Sequence, residues 1–186
     1  MRTHRERMLG GDRYLANDPD LVASRQACQR VLDRYNSMSA DEDHERQQLL
    51  RKLLGSLGAG SSILPRFLCD YGAHISIGAN TFVNYDAVLL DCAPIVIGNH
   101  VAIGPRAQFL TPLHPIDDHD ARRDGWESAS PIAVGDNVWL GGGVIVCAGV
   151  TIGDNTVVGA GSVVTRDVPD HVLAVGSPCR VVREIP

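Results

Sequence analysis

From Val134 onward, aliphatic side chains recur with a period of six: Val134, Leu140, Val146, Ile152, Val158 and Val164. The residues that follow them are mostly glycine (Gly135, Gly141, Gly153, Gly159), and those four places on are Val138, Val144, Val150, Thr156 and Ser162. An amphipathic helix repeats every 3.6 residues and a strand every two, so neither element explains the beat. A short strand with one inward aliphatic, a glycine-containing corner and a small residue packed at the turn does explain it. The same beat runs upstream through Ile77, Val83 and Leu89, then reappears two residues out of phase at Ile97, Ile103 and Phe109. The pattern predicts coils of one parallel β-solenoid, a mainly β fold whose stacked coils bury a continuous apolar column and need caps at both ends.

Before residue 60 the pattern is helical. Residues 17–36 place Leu21, Cys28, Val31, Leu32 and Tyr35 on one face, with Asp18 as N-cap and Pro19 at the first helical position. The stretch SADEDHERQQLLRKLLG has Ser39 and Glu42 in capping-box spacing, carries Leu49, Leu50, Leu53 and Leu54, and stops at Gly55. The turn-rich segment from Gly55 to Ser62 reads as a linker. The expected organisation is an N-terminal helical region, 1–60, followed by the solenoid, 61–186, which includes an excursion at 110–131 and a C-terminal tail.

Composition narrows the function. Aromatics make up 5% of the chain against 19 glycines, which suits a core of small and β-branched side chains. A formal charge of −5 argues against nucleic acid spread over the surface, while leaving room for a local basic site. The five cysteines are odd in number, scattered and without CxxC spacing, as expected of reduced thiols. The N-terminal MRTHRERML is not followed by an apolar run, and no apolar stretch is long enough to cross a bilayer; a soluble, cytoplasmic protein is expected.

The excursion, Thr111 to Pro131, has no apolar rhythm and contains His114 followed by Pro115. Histidine is the side chain best suited to take a proton near neutral pH. His119, beside Asp117 and Asp118, lacks the spacing of a metal-binding pair and has no thiolate nearby, so no metal is expected. Cys92 ends a repeat and Cys147 follows the stacked Val146, where a small buried thiol is the expected filler; neither has an evident histidine partner for covalent catalysis. His74 and His100 fall at repeat turns and read as surface residues.

Taken together, the hexads, FVNYDAVLLDCAPIVIG, the HP of the excursion, NVWLGGGVIVCAGVTIGDNTVVGAGSVVTRDVP and the closing GSPCRVVREI resemble the hexapeptide-repeat acetyltransferases, with the maltose and galactoside O-acetyltransferases as the nearest branch. The resemblance implies a left-handed parallel β-helix, against the right-handed crossover of ordinary sheets. It also implies a homotrimer with acetyl-CoA sites between subunits and acetyl transfer to a sugar hydroxyl; since neither Cys92 nor Cys147 has an evident histidine partner, direct transfer in a ternary complex is expected. His114 matches the catalytic histidine. Glu127 aligns with a glutamate that orients the imidazole or stabilises the imidazolium, against the plainer reading of a solvated loop carboxylate. Asn84 and Asp91 match residues close to the acceptor, Asn84 also being placed to orient the histidine. Asp18 matches an acceptor-binding segment, although its capping role explains it equally well. For the coenzyme the resemblance points to Trp139, which suits either pantetheine or acceptor, and to Gly142, Ala160, Thr165, Arg166, Arg180 and Arg183, the arginines as phosphate ligands. Family members use a serine as oxyanion donor where this chain has Gly142 and Gly143, so a backbone N–H of Leu140–Gly143 is the expected substitute. Two other readings remain open: an acetyltransferase for antibiotic or other xenobiotic alcohols, and a non-catalytic β-helix that binds or assembles. A metal site of the β-helical carbonic anhydrase kind would need a histidine triad that the sequence does not offer.

Overall fold

The computed structural model describes residues 2–186. Short parallel strands stack into three faces. One carries Phe67–Cys69, Ala87–Leu90, Gln108–Leu110, Ile145–Cys147 and Val163–Val164. The second carries Ser56–Leu57, Ile75–Ile77, Ile95–Ile97, Ile132–Val134 and Thr151–Ile152. The third runs from Ser62–Ile63 through Phe82–Val83, Ala102–Ile103, Trp139–Leu140 and Val157–Val158 to Val172–Val175.

Every aliphatic or aromatic residue of the six-residue beat points inward and is buried, so the apolar column is the one read from the sequence. Several glycines are required by stacking rather than by dihedral angle. A Cβ on Gly98 would lie 2.7 Å from the carbonyl of Gly135, and one on Gly141 would lie 2.5 Å from the amide of Ala160. One corner of the coil instead needs a left-handed residue. Asn80, His100, Asn137, Asn155 and His171 occupy it with φ between 54° and 56°, a conformation that asparagine tolerates better than most residues.

Both ends are capped. Helix α1 (His4–Leu9) opens on a reciprocal capping box between Thr3 and Glu6. Helix α2 (Pro19–Ser37) starts at its Asp18 cap, whose side chain accepts from the amides of Asp20 and Leu21. With helix α3 (Asp43–Leu53), α2 buries Cys28, Leu32, Tyr35 and Leu50 against the first coil. The edge strand Phe67–Cys69 is closed by Asn36, whose amide donates to the Phe67 carbonyl and accepts from the Phe67 N–H, both at 2.9 Å. This satisfies backbone groups that would otherwise template another strand. At the far end, Arg180–Glu184 pairs antiparallel with Val172–Val175.

Four local expectations are corrected. The Gly55–Ser62 stretch is no linker, because Ser56–Leu57 and Ser62–Ile63 already pair as the first coil. Helix α3 begins at Asp43, not after Ser39: Glu42 accepts from the Ser39 N–H at 2.7 Å, but the Glu42 N–H donates to the Ser39 carbonyl at 3.1 Å rather than to its hydroxyl, closing a separate turn before the helix. Cys147 is half-buried on the outer side of its strand, since strand alternation turns it away from the inward Val146. His74 is no surface residue. Its side chain is only 13% exposed and packs on the Tyr71 ring, with Nδ1 2.7 Å from the Asp91 carbonyl oxygen.

The two-residue phase slip has a structural cause. Eight residues separate Cys69 from Ile77 and Leu89 from Ile97, against six at most other corners, and in the next coil the excursion departs after Phe109 from the same place. The lengthened corner is where polar side chains collect.

The excursion is an antiparallel hairpin, with Pro112–Leu113 against Trp126–Ala129, tipped by helix α4 (His119–Arg123). Tyr14–Leu15 adds a third strand, setting Tyr14 opposite Glu127 and Leu15 opposite Trp126. An Arg13–Asp118 ion pair at 2.8 Å ties the same N-terminal segment to the hairpin tip.

Candidate active site

The lengthened corner of two coils and the base of the hairpin enclose a cavity of about 320 Å³. The coils contribute Asp70, Leu90 and Cys92; the hairpin contributes Pro112, His114 and Glu127; the N-terminal segment and α2 close it with Ala16 and Arg25. Each part is held by buried polar contacts. Thr111, at the root of the hairpin, donates to the Leu90 carbonyl at 2.6 Å and accepts from the Ala93 N–H at 3.0 Å. Arg25 donates to the Tyr71 hydroxyl at 2.7 Å and to the Ala16 carbonyl at 2.6 Å.

His114 reaches into the open side of this cavity with its side chain 58% exposed, and its Nε2 lies 3.7 Å from Oε1 of Glu127. Glu127 is 17% exposed, and its other oxygen accepts from the Tyr14 hydroxyl at 2.9 Å. The solvated-loop reading of Glu127 therefore fails: the carboxylate is largely enclosed and faces the imidazole. Burial raises the Asp70 carboxyl above the usual range, opposed by a contact from the Cys92 thiol at 3.4 Å. Burial, with Asp70 alongside, also pushes the Cys92 thiol well up, and burial lifts the Tyr71 phenol to about 12. A thiol held protonated in this way is a poor nucleophile.

Asp91 is corrected from acceptor ligand to scaffold. It has no exposed surface. Its carboxylate accepts the backbone N–H of Asp70 at 3.0 Å, of Tyr71 at 2.8 Å and of His74 at 3.2 Å. Burial raises its carboxyl despite these bonds. The side chain fastens one lengthened corner to the next and offers nothing to a ligand.

The remaining sequence candidates lie outside the cavity. Asn84 follows the third-face strand Phe82–Val83, half-buried, with its side-chain oxygen accepting from the Tyr85 N–H at 2.8 Å. Trp139 projects from the same face, 58% exposed, above Ala102 and beside Val157. Gly142 and Ala160 share the next corner, where the Gly161 amide donates to the Gly142 carbonyl at 2.9 Å. The amides of Gly141 and Gly143 are spent on the carbonyls of Val158 and Pro105. Thr165 is exposed at the end of its coil, and Arg166 and Arg180 line one hollow of about 130 Å³. Arg183 is exposed on the same terminal strand as Arg180. Asp18 is occupied in capping α2. The sequence reading missed Tyr14, Ala16, Arg25 and Asp70. For Tyr14 and Ala16 the available signal was the run RYLAND, which ends on the α2 cap Asp18 and sets Tyr14, Leu15 and Ala16 between polar residues.

A parallel β-solenoid with a histidine–carboxylate pair on an excursion loop defines a hexapeptide-repeat transferase, and comparison with known proteins agrees. The family model described as "Maltose acetyltransferase hexapeptide capping motif" matches residues 7–58, and that for "Bacterial transferase hexapeptide (six repeats)" matches residues 131–166. Nodulation protein L of Rhizobium meliloti is 48% identical over 180 residues, covering 97% of this chain and 98% of the relative. The crystal structure of a maltose O-acetyltransferase from Clostridium difficile superposes with a TM-score of 0.97 at 46% identity, covering 100% of this chain and 98% of the other. A hexapeptide-repeat acetyltransferase from Vibrio cholerae, solved with acetyl-CoA, gives 0.90 at 42% identity with both chains fully covered. The chain belongs to the maltose and galactoside O-acetyltransferase family of hexapeptide-repeat acetyltransferases. It is an acetyl-CoA-dependent acetyltransferase built on a β-solenoid.

Proposed function

We propose that the protein transfers the acetyl group of acetyl-CoA to a hydroxyl of a sugar, with His114 as general base. The observation that carries this reading is the His114–Glu127 pair at 3.7 Å, standing over a cavity with polar walls. Acetyl-CoA supplies an activated thioester. His114 takes the hydroxyl proton as the oxygen attacks the acetyl carbonyl, and returns it to the departing thiolate, so the imidazole ends the cycle neutral. Glu127 faces the imidazolium while it exists. Asp70 presents a carboxylate to the cavity, a hydrogen-bond acceptor for sugar hydroxyls. Transfer is direct: the buried, protonated Cys92 is unsuited to carry an acetyl intermediate.

The working assembly in this reading is a homotrimer. Asn84, Trp139, Gly142 and Ala160 lie on other faces and corners of the solenoid than His114, so one chain alone does not bring acceptor and coenzyme residues together. A neighbouring subunit placing those residues against the hairpin completes the site. Thr165, Arg166, Arg180 and Arg183 then hold the phosphate-bearing end of the coenzyme. The test is His114→Ala, assayed for acetyl transfer and for acetyl-CoA binding by calorimetry. Lost transfer with intact binding is the expected result, and undiminished transfer removes His114 as the base.

A further inference from the structure

We infer that Tyr14 is a positioning residue for the Glu127–His114 pair, which makes the N-terminal strand part of the catalytic apparatus as well as a cap. The inference rests on the reading of His114 as general base and goes beyond it.

Tyr14 and Glu127 stand opposite each other in the antiparallel pairing of Tyr14–Leu15 with Trp126–Ala129. The phenol O–H donates to Oε2 of Glu127 at 2.9 Å, and Oε1 is the oxygen nearest His114 Nε2. A carboxylate attached through a flexible side chain swings unless one oxygen is tied; tying Oε2 leaves Oε1 facing the imidazole. The tie is firm because Tyr14 has no exposed surface and packs among Met8, Leu21, Tyr71, Cys92, Ala93 and Ala129. Burial also keeps its phenol protonated, and therefore a donor, at working pH.

The backbone around it is pinned independently. Leu15 N–H donates to His4 Nδ1 at 3.0 Å, and the Ala16 N–H donates to the Gly125 carbonyl at 3.4 Å, while Arg25 holds the Ala16 carbonyl. Tyr14 does not itself line the cavity; it lies behind two residues that do, Glu127 and Cys92. Of these two, Glu127 is the one that faces His114, and Tyr14 acts on the imidazole through it.

Tyr14→Phe keeps the packed ring and removes the donor. The first readout needs no turnover: histidine-¹⁵N-labelled protein, with the His114 imidazole resonances assigned by their loss in His114→Ala. In Tyr14→Phe those resonances should move in the same sense as in Glu127→Gln, and the double variant should match Glu127→Gln alone. The second readout is kinetic. Loss of one hydrogen bond acting through Glu127 should lower kcat about fivefold to tenfold with the KM for acetyl-CoA unchanged, and should have no further effect in the Glu127→Gln background. Unmoved His114 resonances in Tyr14→Phe, or the same fractional loss of kcat in both backgrounds, would overturn the inference. Failure of the base reading shows separately, as turnover retained in His114→Ala.

Discussion

Removing the Asp91 carboxylate should loosen the corner that carries the candidate site. Asp91→Ala leaves three backbone N–H groups, those of Asp70, Tyr71 and His74, without the acceptor they use at 2.8–3.2 Å. A buried donor left unsatisfied costs about 1–3 kcal/mol. Part of this is offset, since burial already works against the ionised carboxylate. The net loss is then roughly 3 kcal/mol, or about 6–12 °C in Tm for a domain of this size. Asp91→Asn should fall between wild type and alanine. It keeps an oxygen where Oδ1 accepts from Asp70 and Tyr71, and turns an amide donor toward the His74 N–H. Scanning calorimetry at one protein concentration, with acceptor KM measured on the same preparations, decides the matter. An unchanged Tm together with a raised acceptor KM would mean that Asp91 faces the ligand, and the buried-anchor argument would be wrong.

Other outcomes follow from the same structure. His114→Ala should cut turnover at least ~10²-fold while acetyl-CoA still binds, as read by steady-state kinetics and calorimetry. Neutralising Arg166, Arg180 and Arg183 to glutamine should raise the KM for acetyl-CoA and flatten its dependence on salt; an unchanged KM moves the phosphates elsewhere. The Asp70 carboxyl is raised by burial, so its contribution to stability is present below the ordinary aspartate value and is lost as pH rises through the folded value. Asp70→Asn should therefore melt above wild type at pH 7, with the gap closing toward pH 4. A gap that widens on acidification would contradict the assignment.

How much was legible beforehand depends on the range of the interaction. The solenoid was readable because each inward residue recurs at a fixed short spacing and packs on its own copy one coil away. The phase slip between Leu89 and Ile97 was visible too, but its meaning was not: only the stacked coils show that the two extra residues widen one corner and that the excursion leaves from it. Asp91 looked like a ligand residue because sequence does not show which backbone amides a carboxylate will meet. Cys147 was misread by one step of strand alternation. Helix α1 was overlooked although Thr3 and Glu6 have capping-box spacing, because Met8 is its sole buried residue and leaves no periodic face. In the opposite sense, Ser39 and Glu42 carry that spacing without starting a helix there. The contact between Tyr14 and Glu127 spans 113 positions through a two-residue strand, and no local pattern encodes such a pairing. His114 and Glu127 emerged as candidates through the family resemblance; the fold adds their distance, their unequal exposure and the group behind them.

The most direct test is thiol release from acetyl-CoA by the purified protein across a panel of sugars, glycosides and antibiotic alcohols, with His114→Ala run alongside. The account predicts release that depends on a sugar acceptor and disappears in the variant. Acetyl-CoA binding without release in the presence of any sugar, or release that persists in His114→Ala, would contradict it.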